Sequence, residues 1–311
     1  METGKKLTTL TPDLFEPAPK ADDAAERIGG EPIGFWKDAW GRLKKNKAAI
    51  ASLCIIVFLI FMAFVGPLLT PYTSFGQDLG RALQPPSSEF WFGTDSFGRS
   101  MFDRVWEGTR VSLYIAFVAT AIDIGIGMFY GAISAYYGGR VDNVMQRIVE
   151  VLNGIPQLVV VILLLTVFPA GIFTIALAIS MVAWTGTARL IRGQVLRLKN
   201  QEFFLASRTL GASSSRLILK HLIPNVLYIV IVTLMFTVPS AIFFEAFLSF
   251  IGLGIQVPNA SLGSLMNDGA EFLRYEPYLI FIPAVVLALL LLCFTLLGDG
   301  LRDALDPRMR R

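Results

Sequence analysis

Three carboxylates stand in or beside long apolar runs, Asp123, Glu150 and Glu245, and they are the side chains with the clearest chemical potential. An ionised group at a bilayer centre costs an estimated ~2.5–3.5 kcal/mol, less toward the edges, so such a group faces a bundle interior or a watery cavity. Three roles fit: a proton relay, a partner for a cationic group in transit, or part of a gate. Glu245 lies roughly 20 residues past Asn225, about 30 Å along a helix, near the far mouth of its run. Backbone donors or Arg274 could equally hold it. Gly93–Thr94–Asp95–Ser96–Phe97–Gly98–Arg99–Ser100 is one residue from a phosphate-binding loop, but that loop uses a lysine and follows a buried strand. Arg99 replaces the lysine and SSEFWF is a poor strand, so nucleotide binding is not expected. No HExxH, CxxC or GxSxG occurs. Cys54 and Cys293 both sit in apolar runs and are expected to be small membrane-facing hydrophobes. His221 is the single histidine, too few for a zinc cluster, and neither a metal nor a cofactor is expected. The pairs Gly125/Gly127 and Gly252/Gly254 read as sites of close helix packing.

The elements that must position these residues follow from composition. Of 311 residues 54% are hydrophobic and 16% charged, against about 25% charged in an ordinary globular chain. The apolar residues come in blocks long enough to cross a bilayer as helices. The expected fold class is an all-α membrane protein with six transmembrane helices, over about 48–69, 111–137, 148–169, 171–188, 226–250 and 277–298. Barrel strands would alternate apolar and polar residues, and these runs do not. Residues 1–34 are expected to form a disordered cytoplasmic tail, 35–47 an interfacial helix with Phe35, Trp36 and Trp40 at headgroup level, and 299–311 a cytoplasmic tail. With the N-terminus inside, eighteen basic residues fall on inside segments and five outside, which favours both termini being cytoplasmic.

The segment 189–224 is too long for a simple connector and carries seven basic residues. Asn200 is expected to cap a helix over about 201–210, with Glu202 in the first turn, where the dipole favours a carboxylate. Gly211 suits a left-handed terminus. A second amphipathic stretch, 213–223, is expected to end at Pro224. From the residues alone, a membrane-surface hairpin and a docking site for another protein both remain open.

This segment resembles the EAA motif of ABC importer permeases: Leu205–Ala206–Ser207 stands at EAA, Gly211 at the glycine, and His221–Leu222–Ile223–Pro224 at the I-x-L-P position. The stretch FGTDSFGRSMFDRVWEGTRVSL from Phe92 resembles a segment of oligopeptide and dipeptide permeases of the OppC/DppC type, with Ser100 in place of the usual aspartate. FEAFLSFIGLGIQVPNASLGSLMNDG, with Leu262 where tryptophan is common, and the ending GDGLRDALDPRMRR resemble the same family. The resemblance implies a MetI-like permease fold in the bacterial cytoplasmic membrane. It implies a heterodimer with a second homologous permease subunit, two cytoplasmic ATPase subunits, an extracytoplasmic peptide-binding protein, and no nucleic-acid partner. It also implies contact with the ATPase through residues 202–212, so that Glu202, Leu205, Ala206, Ser207, Gly211, Ala212 and Pro224 belong to coupling. Asp123 and Glu245 are left for the substrate pathway or gate. The chain would itself hydrolyse nothing. Nickel as the substrate, or proton-coupled transport through Asp123, Glu150 or Glu245, are the alternatives.

Overall fold

The computed structural model describes residues 35–169 and 171–305. The expected tails over 1–34 and 306–311 lie outside the described residues. Helix α1 (Phe35–Leu43) leads into α2 (Lys47–Val65), whose first turn is capped by the Asn46 side chain accepting from Ala49 N at 3.1 Å. A 3₁₀ turn, Gly66–Leu68, finishes this first span. Then come α3 (Met101–Tyr137), α4 (Gly139–Asn153), α5 (Gln157–Val167), α6 (Ile172–Leu198) and α7 (Glu202–Thr209). A short α8 (Ser214–Arg216) and a π-helical turn, Leu217–Leu222, run into α9 (Ile223–Phe250). The chain closes with α10 (Leu262–Ala270) and α11 (Tyr278–Leu305). The bundle belongs to the unit that begins at Ala39.

Among the described residues five helices are long and apolar enough to cross a membrane, and a bent pair can supply the sixth. That pair covers the expected span over 148–169, and it is bent. It is α4 and α5, which meet at 79° across Gly154–Ile155–Pro156. Pro156 has no N–H to continue the α4 ladder and disfavours helical backbone at Ile155, and with Gly154 beside them the rod breaks here. Glu150 consequently sits on the exposed face of α4, 2.9 Å from Arg147, and not in an apolar run. Span two begins at Met101, ten residues before its expected start, because Ser100 caps the helix on Asp103 N. Span four continues to Leu198, through the first part of the expected loop.

The stretch expected as a separate second helix, 213–223, is continuous with α9. Pro224 cannot donate a hydrogen bond, and the π turn before it absorbs the mismatch, with Ile223 N donating five residues back to Ile218 O. The helix therefore passes the proline. Asn200 is not the cap of α7: Gln201 occupies that position without a side-chain bond, and the Asn200 amide donates to Leu196 O.

Long α3 is the central rod. Against α6 its Gly127 and Gly131 have no room for a side chain, since a Cβ would overlap Thr187 and the Ala188 carbonyl. Lipid tails supply no hydrophobic drive between helices, so backbone approach of this kind is what holds spans together. Gly125, by contrast, faces open space, and Gly252 has φ +83° in the turn ending α9. α6 is the most enclosed span and α2 the least. α2 shows Phe58, Phe61 and Phe64 outward, as a lipid-facing rim helix should. Cys54 is exposed on it, whereas Cys293 is buried inside the bundle, against the expectation that both face the membrane.

Candidate functional site

Two regions carry the side chains singled out above. The first is α7. Of its eight residues only Phe204 is buried, at 1% exposure. The ring lies in an apolar cluster drawn from α3 (Ala132, Ala135), α6 (Ile191, Val195) and α9 (Val226, Val230), and it meets the Tyr136 ring edge-on at 6.5 Å. Glu202, Leu205 and Ala206 face outward, with Leu205 48% exposed, while Ser207 and Ala212 are half-buried. Leu210, at 88%, projects furthest. The helix ends in a Schellman motif: Ala212 N donates to Ser207 O and Gly211 N to Arg208 O, with Gly211 at φ +80°. Pro224 is exposed at the start of α9.

Three sets of polar contacts fix the frame around α7. Lys199 Nζ donates to the carbonyls of Ala135 and Tyr136, each at 2.8 Å, closing the end of α3. Burial, and then the nearby Arg208, lower the pKa of this ammonium. The Tyr136 hydroxyl donates to Ser214 Oγ at 2.9 Å. Asp142 on α4 takes both Arg192 nitrogens from α6 and the Ser134 hydroxyl from α3. Phe204 and Tyr136 escaped the sequence reading. The signal for Phe204 was the apolar run Phe203–Phe204–Leu205, of which a short helix can bury only one member against a bundle.

The second region is a cavity of about 920 Å³ between α3, α6, α9 and α11, lined among others by Asp123, Thr187, Arg197, Thr233, Thr237 and Arg302. A second cavity, of about 530 Å³, continues past Asp123 toward Thr120, Gln157 and Pro239. The face of α9 that both touch carries Thr237 and Ser240, whose hydroxyls donate back along the helix. Asp123 is 3% exposed, and its Oδ1 has no hydrogen-bond partner.

Glu245 is different. It is wholly buried, accepting from Ser112 Oγ and Ser249 Oγ at 2.7 Å each, and Arg274 plays no part. It joins α3 to α9 and, through Leu262 N on Ser112 Oγ, to α10. It is closed to solvent in this conformation. At the same end of the bundle the glycine-rich segment that resembled a phosphate loop is already filled. The Asp95 carboxylate accepts from Phe97 N and Arg99 N at 2.9 Å and from Arg99 Nε at 2.7 Å. Arg104, 1% exposed, lies between Asp95 and Asp268. Burial raises the Asp268 carboxyl above the ordinary range, with Arg99 opposing.

The model of the binding-protein-dependent transport system inner membrane component matches residues 124–311, and that of the N-terminal TM domain of oligopeptide transport permease C matches residues 34–86. The oligopeptide transport system permease protein OppC of Bacillus subtilis (strain 168) is 45% identical over 305 residues, covering 98% of this chain and 100% of its own. The dipeptide transport system permease protein DppC of the same strain is 48% identical over 288 residues, 92% of this chain and 90% of its own. Among solved structures, the inward-facing MetNI methionine ABC transporter aligns with a TM-score of 0.54 at 19% identity, over 65% of this chain and 96% of that one, a likeness of fold.

Proposed function

We propose, from the premise that this chain belongs to the family of inner-membrane components of binding-protein-dependent transport systems, that it is a permease subunit of an ATP-driven importer of oligopeptides or dipeptides. In this reading a second, homologous permease supplies the other half of the pathway. Two ATPase subunits dock on the cytoplasmic face, an extracytoplasmic peptide-binding protein delivers the cargo, and both termini are cytoplasmic.

The observation that carries the reading is mechanical. Phe204 seats α7 on α3, α6 and α9, and these same helices wall the cavity. A push on the exposed face of Glu202, Leu205, Ala206 and Leu210 is delivered to the cavity walls with no intervening joint. Closure of an ATPase dimer against α7 would therefore tilt the walls together, a rigid-body route to alternating access. Glu245 and its serines close the opposite end, which suits a gate better than a cargo contact. The test is reconstitution with the partner permease, the ATPases and the delivery protein. ATP-dependent uptake of labelled di- to hexapeptides is expected. Uptake by this chain alone, driven by a proton gradient, would overturn the reading.

A further inference from the structure

We propose that Asp123, with Thr120 one turn before it on α3, receives a positively charged nitrogen of the cargo at mid-pathway. The inference deepens the reading of this chain as a peptide permease and rests on it. Among the described residues, Asp123 is the ionisable group that lines both cavities. Its carboxylate lies against the Thr187 hydroxyl, yet Oδ1 is buried and unpartnered. Thr120, which also lines the smaller cavity, has its Oγ1 likewise buried and unpartnered. A bare carboxylate oxygen at this depth is expensive, and a buried acceptor left unpaired adds to that cost. Both deficits lie on one face of one helix, toward the cavities, and a transient ammonium group corrects both.

The other buried acids are already committed or lie elsewhere. Glu245 is closed by two serine hydroxyls, Asp142 is engaged by Arg192, and Asp103, with its own unpartnered Oδ2, lines neither cavity. The larger cavity also has polarity. Arg197 and Arg302 line it, and Arg197 is ten residues along α6 from Thr187, about 15 Å of helix. A zwitterionic chain would align with its ammonium at Asp123 and its carboxylate toward these arginines. That span matches about four to five extended residues.

The experiment measures equilibrium binding to the purified complex of permeases and ATPases without the delivery protein, whose own selectivity is thereby removed. The probes are trialanine, N-acetyl-trialanine and N-acetyl-alanyl-lysyl-alanine. The parent should bind trialanine about tenfold more tightly than its acetylated form, equivalent to about 1.4 kcal/mol. Asp123→Asn should erase that preference and Asp123→Glu should keep it; Asp123→Ser serves if the asparagine variant does not assemble. Recovery of binding with the lysyl probe means that any ammonium serves, and no recovery means the terminal one. Equal binding of trialanine and N-acetyl-trialanine by the parent, no binding of trialanine, or a preference that survives both Asn and Ser overturns the proposal. ATP-driven uptake of trialanine by the complete parent importer is scored separately, so failure of the importer reading is distinguishable from failure at Asp123.

Discussion

Replacing Phe204 with alanine should disconnect the motor from the pathway while leaving the bundle intact. An eight-residue helix is far below the ~12–15 residues at which isolated helices become even marginal, so α7 exists because it is docked. Phe204 is its one buried side chain, 1% exposed. Truncating a buried phenylalanine costs about 3–5 kcal/mol, and the edge-on contact with Tyr136 contributes part of that. What remains is the Schellman pair, at about 0.5–1.5 kcal/mol per hydrogen bond, and the half-buried Ser207 and Ala212. The loss matches or exceeds the remainder, and 3 kcal/mol alone shifts a docking equilibrium about 150-fold. The spans keep their own contacts, with Leu217, Leu222 and Val226 still buried together. In proteoliposomes holding the complete importer, Phe204→Ala should insert normally, lose substrate-stimulated ATP hydrolysis, and cut uptake more than about tenfold. Trypsin should cleave faster at the exposed Arg208 and Arg216. Phe204→Leu should fall between the two. Uptake within about twofold of the parent, with unchanged cleavage, would refute the docking argument.

Ala206→Asp places a charge in the proposed ATPase contact, where burying it unpaired costs several kcal/mol; the ATPases should detach or lose stimulation while the chain remains in the membrane, and parent-level transport would count against the contact. Gly211→Val puts a β-branched residue at φ +80°, at a cost of about 1–2 kcal/mol, and uptake should fall through displacement of Leu210 and Ala212; an unchanged rate argues that α7 need not end there. Glu245→Gln should reduce uptake of free-amine and N-acetylated peptides alike, because the carboxylate is sealed by Ser112 and Ser249; a selective loss of the free-amine peptide would restore it as a cargo contact. In a background lacking Cys54 and Cys293, a cysteine at Ser88 should label from outside and one at Leu210 only from the cytoplasm, and external labelling at position 210 would overturn the orientation.

The spans were legible because a 20-residue apolar run has few other uses, and α7 because Glu202 and Gly211 mark its ends. What was hidden is geometric. The kink at Gly154–Ile155–Pro156 sat within an apolar run that composition reads as one rod. Pro224 looked like a stop, but one π turn lets the helix pass. Asp123 and Glu245 are equivalent on paper, two lone carboxylates in apolar runs. Only packing separates them: α10 brings Leu262 over Ser112 and closes Glu245, while Asp123 Oδ1 is buried with no hydrogen-bond partner among the described residues. Phe204 could not be told from Phe203 and Leu205 without knowing which side faced α3.

The four arginines of the 70–110 segment weighed against the inside-positive tally, yet each is held. Arg81 pairs with Asp78 and Glu89, Arg99 and Arg104 with Asp95, and Arg110 donates to Ala63 O from Nε and Nη2. In the proposed orientation these charges cross the membrane as an unfolded segment during biogenesis and meet their partners only on the far side. Folding there would bury Arg99 and Arg104 in ion pairs with Asp95, and tie Arg110 to the Ala63 carbonyl at the end of α2. In that orientation the loop would act as a latch on insertion: the step that forms these buried pairs would also oppose the return of the segment through lipid.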